Sequence, residues 1–306
     1  SRSSLRDVVD NFGVQGHKLY HLGVKSFSRA TLARCNEKQP HKLYEELFKR
    51  LLARCQAMAS RNKAFKLDGK VYLLDASLVE LSLSLFPWAK YQKNKGAAKL
   101  HIGLDADGYL PAFVDLTEGR EHEINHARDL ELPKGSYVVF DRGYTDYTWY
   151  QDLIEDGVFF VTRLKSNAIV TPGRKRRGRK SPGVIADREI RLGKLAKTLR
   201  LVTYRDEETD ILYQFVTNAL DIPAQTVADL YKERWQIELF FKWIKQNLKV
   251  KSFLGTSMNA VKTQLWIALC AYLVLSFLKF QSKIGASLQR MLRILQLNLF
   301  ERRDLF

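Results

Sequence analysis

Two short apolar runs, VYLLDAS at 71–77 and YVVFDRG at 137–143, each end on a single aspartate. Runs that are apolar at nearly every position, rather than at every second one, suit strands buried on both faces. Asp75 and Asp141 therefore fall at the ends of buried strands. A carboxylate there costs free energy unless it is paired or binds a cation.

The elements around these runs read in a definite order. From Lys70 the period is that of strands: VYLLDAS, KLHIGLDA and YLPAFVDLTE, with Asp107-Gly108 a hairpin turn between the last two. HEINHARDL follows as a short helix, then YVVFDRG as a strand, DYTWYQDLIEDG as a helix and VFFVTRLK as a strand. His101 alternates into a strand and reads as a packed or hydrogen-bonded core residue. His122 and Glu123 follow the third strand and read either as a structural cap or as residues with a direct catalytic role. LRLVTYRD and ILYQFVTN read as a later β-hairpin around 207–209.

A third carboxylate comes from YKERWQIELFFKWIK, 231–245, a helix that Pro223 helps to open. Tyr231, Arg234, Glu238 and Lys245 are three, four and seven residues apart. At about 100° per residue they fall within an arc of roughly 60°. The plain reading is a solvated face with ion pairs from Arg234 to Glu238 and Glu238 to Lys242. The two strand aspartates favour another: Asp75, Asp141 and Glu238 as ligands of a pair of Mg²⁺ ions. Two such ions about 3.5–4 Å apart serve in-line phosphoryl displacement.

Charge points the same way. A formal net charge of +17 over 306 residues implies a polyanionic partner, with nucleic acid favoured over a membrane surface. GRKRRGRK, 173–180, lies between Pro172 and Pro182. Such a run is expected to stay outside the packed core, mobile until it meets a ligand, and to lie on phosphates through Arg174, Lys175, Arg176, Arg177, Arg179 and Lys180. The alternative is a solubilising loop. The turn FPWAKYQKNKGAAK reads equally as a DNA contact or a solvated hairpin. Cys35, Cys55 and Cys270 form no CxxC pair, which points to a reducing compartment without disulfides or zinc. LWIALCAYLVLSFLKF, 265–280, is short for a membrane span and reads as a buried helix.

The Tyr-x2-Arg-x3-Glu-x6-Lys signature, preceded by Asp in LLDAS and Asp in FDRGY, resembles bacterial insertion-sequence transposases of the DDE type, more narrowly the "insertion sequence four" group. The resemblance covers roughly 69–280. It implies an α/β fold, a ribonuclease-H-like mixed sheet flanked by helices, with Asp75 and Asp141 on neighbouring strands. It also implies a metal triad of Asp75, Asp141 and Glu238 using Mg²⁺, with Mn²⁺ able to substitute. Tyr231, Arg234 and Lys245 match residues that contact phosphates of the transposon end.

The implied activity is cleavage and strand transfer at the ends of an insertion sequence. Its partners would be double-stranded DNA, both terminal inverted repeats and target, and a second protomer, in the bacterial cytoplasm. Two alternatives are a transposase-derived DNA-binding protein without turnover and a nuclease limited to hydrolysis. The expected divisions are 1–66, 67–165, a basic β-rich insertion at 166–217, 218–280 and a C-terminal helix at 281–306 that packs on the core or joins a second protomer. The first is helical and basic, with Ser28 an N-cap, and acts in DNA recognition or as a helical collar. Because the chain starts at Ser1 rather than Met, residues upstream are an open expectation.

Overall fold

The computed structural model describes residues 4–16, 23, 26–59, 64–82, 84–92, 95–176, 181–193, 195–247, 253–282 and 285–298. In chain order the described elements begin with helices α1 (Leu5–Val14), α2 (Arg29–Lys38) and α3 (Lys42–Ala59). Strands β1 (Val71–Leu81), β2 (Lys90–Gln92), β3 (Lys95–Asp105) and β4 (Leu110–Glu118) follow, then α4 (Glu123–Arg128), β5 (Tyr137–Val139), α5 (Tyr147–Glu155) and β6 (Phe159–Arg163). Next come β7 (Val170–Lys175), β8 (Val184–Leu192), β9 (Leu199–Arg205) and β10 (Leu212–Thr217), and finally α6 (Ala224–Glu233), α7 (Trp235–Asn247), α8 (Met258–Ser282) and α9 (Leu288–Asn298). The chain divides into two compact units of separated segments: Asn62–Leu78 with Lys99–Phe240, and Ser1–Arg61 with Val79–Ala98 and Phe241–Phe306.

The first unit is built on a mixed sheet ordered β3-β1-β5-β6-β10-β9-β8-β7, with β4 on β3. β1 pairs parallel with β5, and β5 parallel with β6. Three strands, a helix, a strand, a helix and a strand give the ribonuclease-H-like order. Leu73, Val138, Val139, Phe140, Phe160 and Val161 are fully buried, as continuous apolar strands require. Phe140 packs on Trp149 at 4.7 Å and Tyr150 on Phe160 at 4.6 Å, so α5 is fixed over the sheet by aromatic pairs worth about 1 kcal/mol each. The Asp107-Gly108 turn joins β3 to β4 with φ +83° at Gly108, where glycine carries no penalty.

The 166–217 stretch is β-rich, and its strands extend the same sheet through the antiparallel pairing of β10 with β6. The start of the basic run expected outside the packed core, 173–175, instead belongs to a strand. Val170–Lys175 is the sheet's last strand, with Val170 opposite Leu192 and Lys175 opposite Arg188. An edge strand tolerates Pro172, whose missing N–H is not needed on the open side. Arg177, Arg179 and Lys180 lie outside the described residues.

In the second unit, α2 and α3 are tied to α8. Asn259 donates to the carbonyls of Asn36, Glu37 and Gln39 and accepts from the His41 backbone N–H, so one amide closes the end of α2. Phe48 meets Trp266 at 5.1 Å, and the Cys55 thiol donates to the Leu273 carbonyl. Ser28 caps α2 by accepting from the Thr31 N–H. The α8 helix is long and apolar enough to cross a membrane by length and composition, but Leu265, Leu269 and Leu273 are buried within the fold. Within the stretch at 86–99, β2 pairs antiparallel with the start of β3.

Candidate active site

Parallel pairing sets two of the three acids side by side. Leu73 lies opposite Val139, and Asp75 and Asp141 each follow two residues later. The expectation of a strand end holds for Asp141 but not for Asp75, because β1 runs on to Leu81 and carries Asp75 in its middle. Asp141 lies just past the end of β5, where its Oδ1 accepts from the Gly143 N–H at 2.8 Å and caps a turn of 3₁₀ helix. A side chain at position 143 would press on two carboxylates of the site. A Cβ there would lie 2.9 Å from Asp141 Oδ1 and 3.1 Å from Glu123 Oε2.

The third acid comes from a helix that breaks where the sequence reads as continuous. The α6 helix ends at Glu233 and α7 restarts at Trp235. At the joint the Arg234 N–H reaches back to the Tyr231 and Lys232 carbonyls, and the Ile237 N–H to that of Arg234, shorter steps than the i−4 bonds of a continuing helix. The single helix expected over 231–245 is therefore two. The restart puts Glu238 in the first turn of α7, where the helix dipole favours a carboxylate. Lys245 lies in the last turn of the same helix.

Arg234 links what the chain separates. Its Nη2 donates to Glu238 Oε1 at 2.6 Å and its Nη1 to Asp75 Oδ2 at 3.2 Å, across 159 residues. The anticipated Arg234–Glu238 pair thus exists, but half-buried and shared with a strand aspartate rather than on a solvated face. Asp75 Oδ1 accepts from the Ala76 N–H. Burial pushes the Asp75 pKa up to about 6; Arg234 and the Ala76 N–H pull it down, and Asp141 and Glu238 push it up. The three acids thus share one electrostatic neighbourhood. Among the described residues, no three His, Cys, Asp or Glu side chains stand close enough to grip one ion as they are. A guanidinium stands between two of them instead. A donor set of hard carboxylate oxygens already drawn around a cation fits a divalent metal.

Glu123, which the sequence left between two roles, faces this centre. Its Oε1 lies 3.5 Å from Lys99 Nζ. The Tyr144 hydroxyl is held protonated by burial and then by Glu123, Asp75 and Asp141. Tyr144 had no sequence signal beyond its place after Asp141. His101 behaves as expected: it is buried, bonded through Nε2 to Thr117 Oγ1 at 2.9 Å, and neutral because burial pushes its pKa down to about 3.

A cleft of about 230 Å³ opens beside Arg234 and Glu238. Tyr231, Tyr213, Tyr204, Trp235 and Arg163 line it. Tyr231 packs on Phe215 at 4.8 Å, and the Arg163 guanidinium sits 4.9 Å over the Tyr213 ring. Trp235 is half exposed, from α7 rather than from the insertion. Of the basic run, Arg174 and Lys175 are exposed on β7. Arg176 turns inward, donating to the Leu220 carbonyl at 2.6 Å and lying 3.5 Å from Glu189. Sequence reading missed Arg200, which is 3% exposed, forks onto both oxygens of Asp187 at 2.9 and 2.8 Å, and donates to the Ile222 carbonyl.

A family model described as transposase DDE domain matches residues 66–274. The chain is 34% identical to the putative transposase y4zB of Sinorhizobium fredii, over 90% of this chain and 78% of that protein. It is 30% identical to the probable transposase for insertion sequence element IS5377 of Geobacillus stearothermophilus, over 85% of this chain and 70% of that one. A putative transposase for insertion sequence element IS4SA from Synechocystis is 22% identical, over 97% of this chain and 82% of that protein. With the match spanning both strand aspartates and the signature helices, the chain belongs to the transposase DDE domain family.

Proposed function

We propose that this DDE transposase cuts DNA at the terminal inverted repeats of an insertion sequence and joins the freed ends to target DNA, with Asp75, Asp141 and Glu238 holding Mg²⁺. Mn²⁺ would substitute, because the donors are all carboxylate oxygens. The observation that carries this reading is the Arg234 guanidinium held between Asp75 and Glu238 at 3.2 and 2.6 Å, with Asp141 in register beside Asp75. A strand aspartate and a glutamate at a helix start meet on one cation, with the second aspartate beside the first.

Bound divalent ions would supply Lewis-acid activation and charge neutralisation at the scissile phosphate. The chain's own residues do the rest. Arg234 offers a planar fork for a phosphate and Lys245 a point charge. The Tyr231 hydroxyl stays protonated, raised by burial first, and so can donate to a phosphate or sugar oxygen. Arg174 and Lys175 on the edge strand give sequence-independent, salt-sensitive affinity, extended through Arg177, Arg179 and Lys180. Tyr204, Tyr213 and Trp235 offer ring faces for a base beside the centre. Arg176 contributes less to DNA binding than its neighbours, because its guanidinium is engaged within the fold. The active form is a homodimer on paired ends in the bacterial cytoplasm.

The test is Glu238→Gln, assayed with the element's own terminal repeats and Mg²⁺. The variant retains DNA binding and loses strand cleavage. Normal cleavage by it would rule out the triad.

A further inference from the structure

Two arginines of the first unit, one buried and one half-buried, are held in different ways. Arg200 is a finished structural pair: both oxygens of one carboxylate, backbone carbonyls besides, and 3% exposure. Arg234 spreads its fork over two different carboxylates, and its side chain is 15% exposed. Its Nε is buried with no hydrogen-bond partner among the described residues. It sits at the joint of α6 and α7 and on the wall of the cleft, with the Tyr231 ring 5.7 Å away. One guanidinium is shared by two carboxylates, with Asp141 beside Asp75 and outside its reach. Its position also separates two acids that a metal must bring together.

We propose that Arg234 is the resident counter-cation of Asp75 and Glu238, displaced from them when a divalent metal enters and drawn away when DNA phosphate binds. This rests on the reading of Asp75, Asp141 and Glu238 as metal ligands. A phosphate in the cleft competes with the carboxylates for the same planar fork. DNA that takes Arg234 frees the acids for metal. By linkage, metal then raises DNA affinity by the same factor. Metal loading is thus coupled to substrate through one side chain.

The experiment measures Mn²⁺ binding to the full chain by electron paramagnetic resonance, with and without a short duplex of arbitrary sequence. In the wild type, duplex tightens Mn²⁺ binding about tenfold or more, a usual size for coupling between sites. Arg234→Gln binds Mn²⁺ about tenfold more tightly than wild type without DNA, and the duplex adds nothing further. Equal or weaker Mn²⁺ binding by a folded Arg234→Gln overturns the inference. A second measurement needs no variant. Labelling with phenylglyoxal, mapped by mass spectrometry, increases at Arg234 when Mg²⁺ is added and not at Arg200. Unchanged labelling of Arg234 also overturns it. Asp75→Asn and Glu238→Gln separate the two levels. Mn²⁺ binding that ignores both substitutions sinks the metal reading itself. Binding that needs the acids but ignores Arg234 sinks this inference alone.

Discussion

Asp75→Asn should stabilise the metal-free protein at neutral pH. The sign follows from linkage. The Asp75 carboxyl titrates near 3.8 when unfolded and at about 6 when folded, raised by burial and by Asp141 and Glu238 against the pull of Arg234 and the Ala76 N–H. Below about pH 4 it is protonated in both states and carries no penalty. Between about pH 4 and 6 the folded state binds more protons than the unfolded, so stability falls as pH rises. Above pH 6 the penalty is complete, about 3 kcal/mol at 1.36 kcal/mol per tenfold. Asn keeps the shape and removes the charge, but it has one oxygen where Asp75 uses two, for the Ala76 N–H and for Arg234. Losing one acceptor costs about 1 kcal/mol. The net gain is therefore about 1–2 kcal/mol at pH 7.5, shrinking to nothing or below at pH 4. Urea melts of both proteins in EDTA, from pH 4 to 8, measure it. A variant less stable than wild type at pH 7.5, or a difference that does not change with pH, refutes the reasoning. Added Mg²⁺ should then stabilise the wild type and leave Asp75→Asn unmoved.

Other perturbations separate the fold from the chemistry. Arg200→Ala leaves the Asp187 carboxylate without its fork and should cost about 3–5 kcal/mol in a urea melt; a loss under 1 kcal/mol would mean the pair is not the anchor of the insertion. Gly143→Ala places a methyl group 2.9 Å from Asp141 Oδ1 and 3.1 Å from Glu123 Oε2. It should slow end cleavage at least about tenfold while costing only about 1 kcal/mol of stability, as cleavage rates and melts together will tell. Arg174→Ala and Lys175→Ala should each lower the slope of log affinity against log salt by about 1 on any duplex, whereas Arg176→Ala should act mainly on stability. Equal salt effects from all three would show that Arg176 leaves its bonds to reach DNA.

What the sequence made legible, and what it hid, divides along a physical line. Asp75 and Asp141 stood out because a lone carboxylate closing a buried apolar run is anomalous, and that argument needs only neighbours along the chain; that β1 continues past Asp75 to Leu81 was not legible, since the residues after Asp75 are less apolar. The Asp107-Gly108 hairpin is equally local. The Arg234–Asp75 contact is not: it spans 159 residues and depends on which strand pairs with which. The break between α6 and α7 has no local signal either, since Lys232, Glu233, Arg234 and Trp235 include neither Gly nor Pro. The joint coincides with the residue that reaches across to Asp75. Arg200 misleads in the opposite direction. In LRLVTYR its alternation with Leu reads as a solvent-facing arginine, yet Asp187 and the Ile222 carbonyl make it one of the most buried charges in the fold. The edge strand β7 was hidden by composition, because Pro172, Gly173 and four successive basic residues mimic a solvated loop unless β8 is there to pair with them. Local chemistry thus exposes the acids, while the identity of their counter-charge is a property of the sheet order. The sequence reading treats Arg234 as a hand for phosphate; the fold shows it first as the cation the acids already hold.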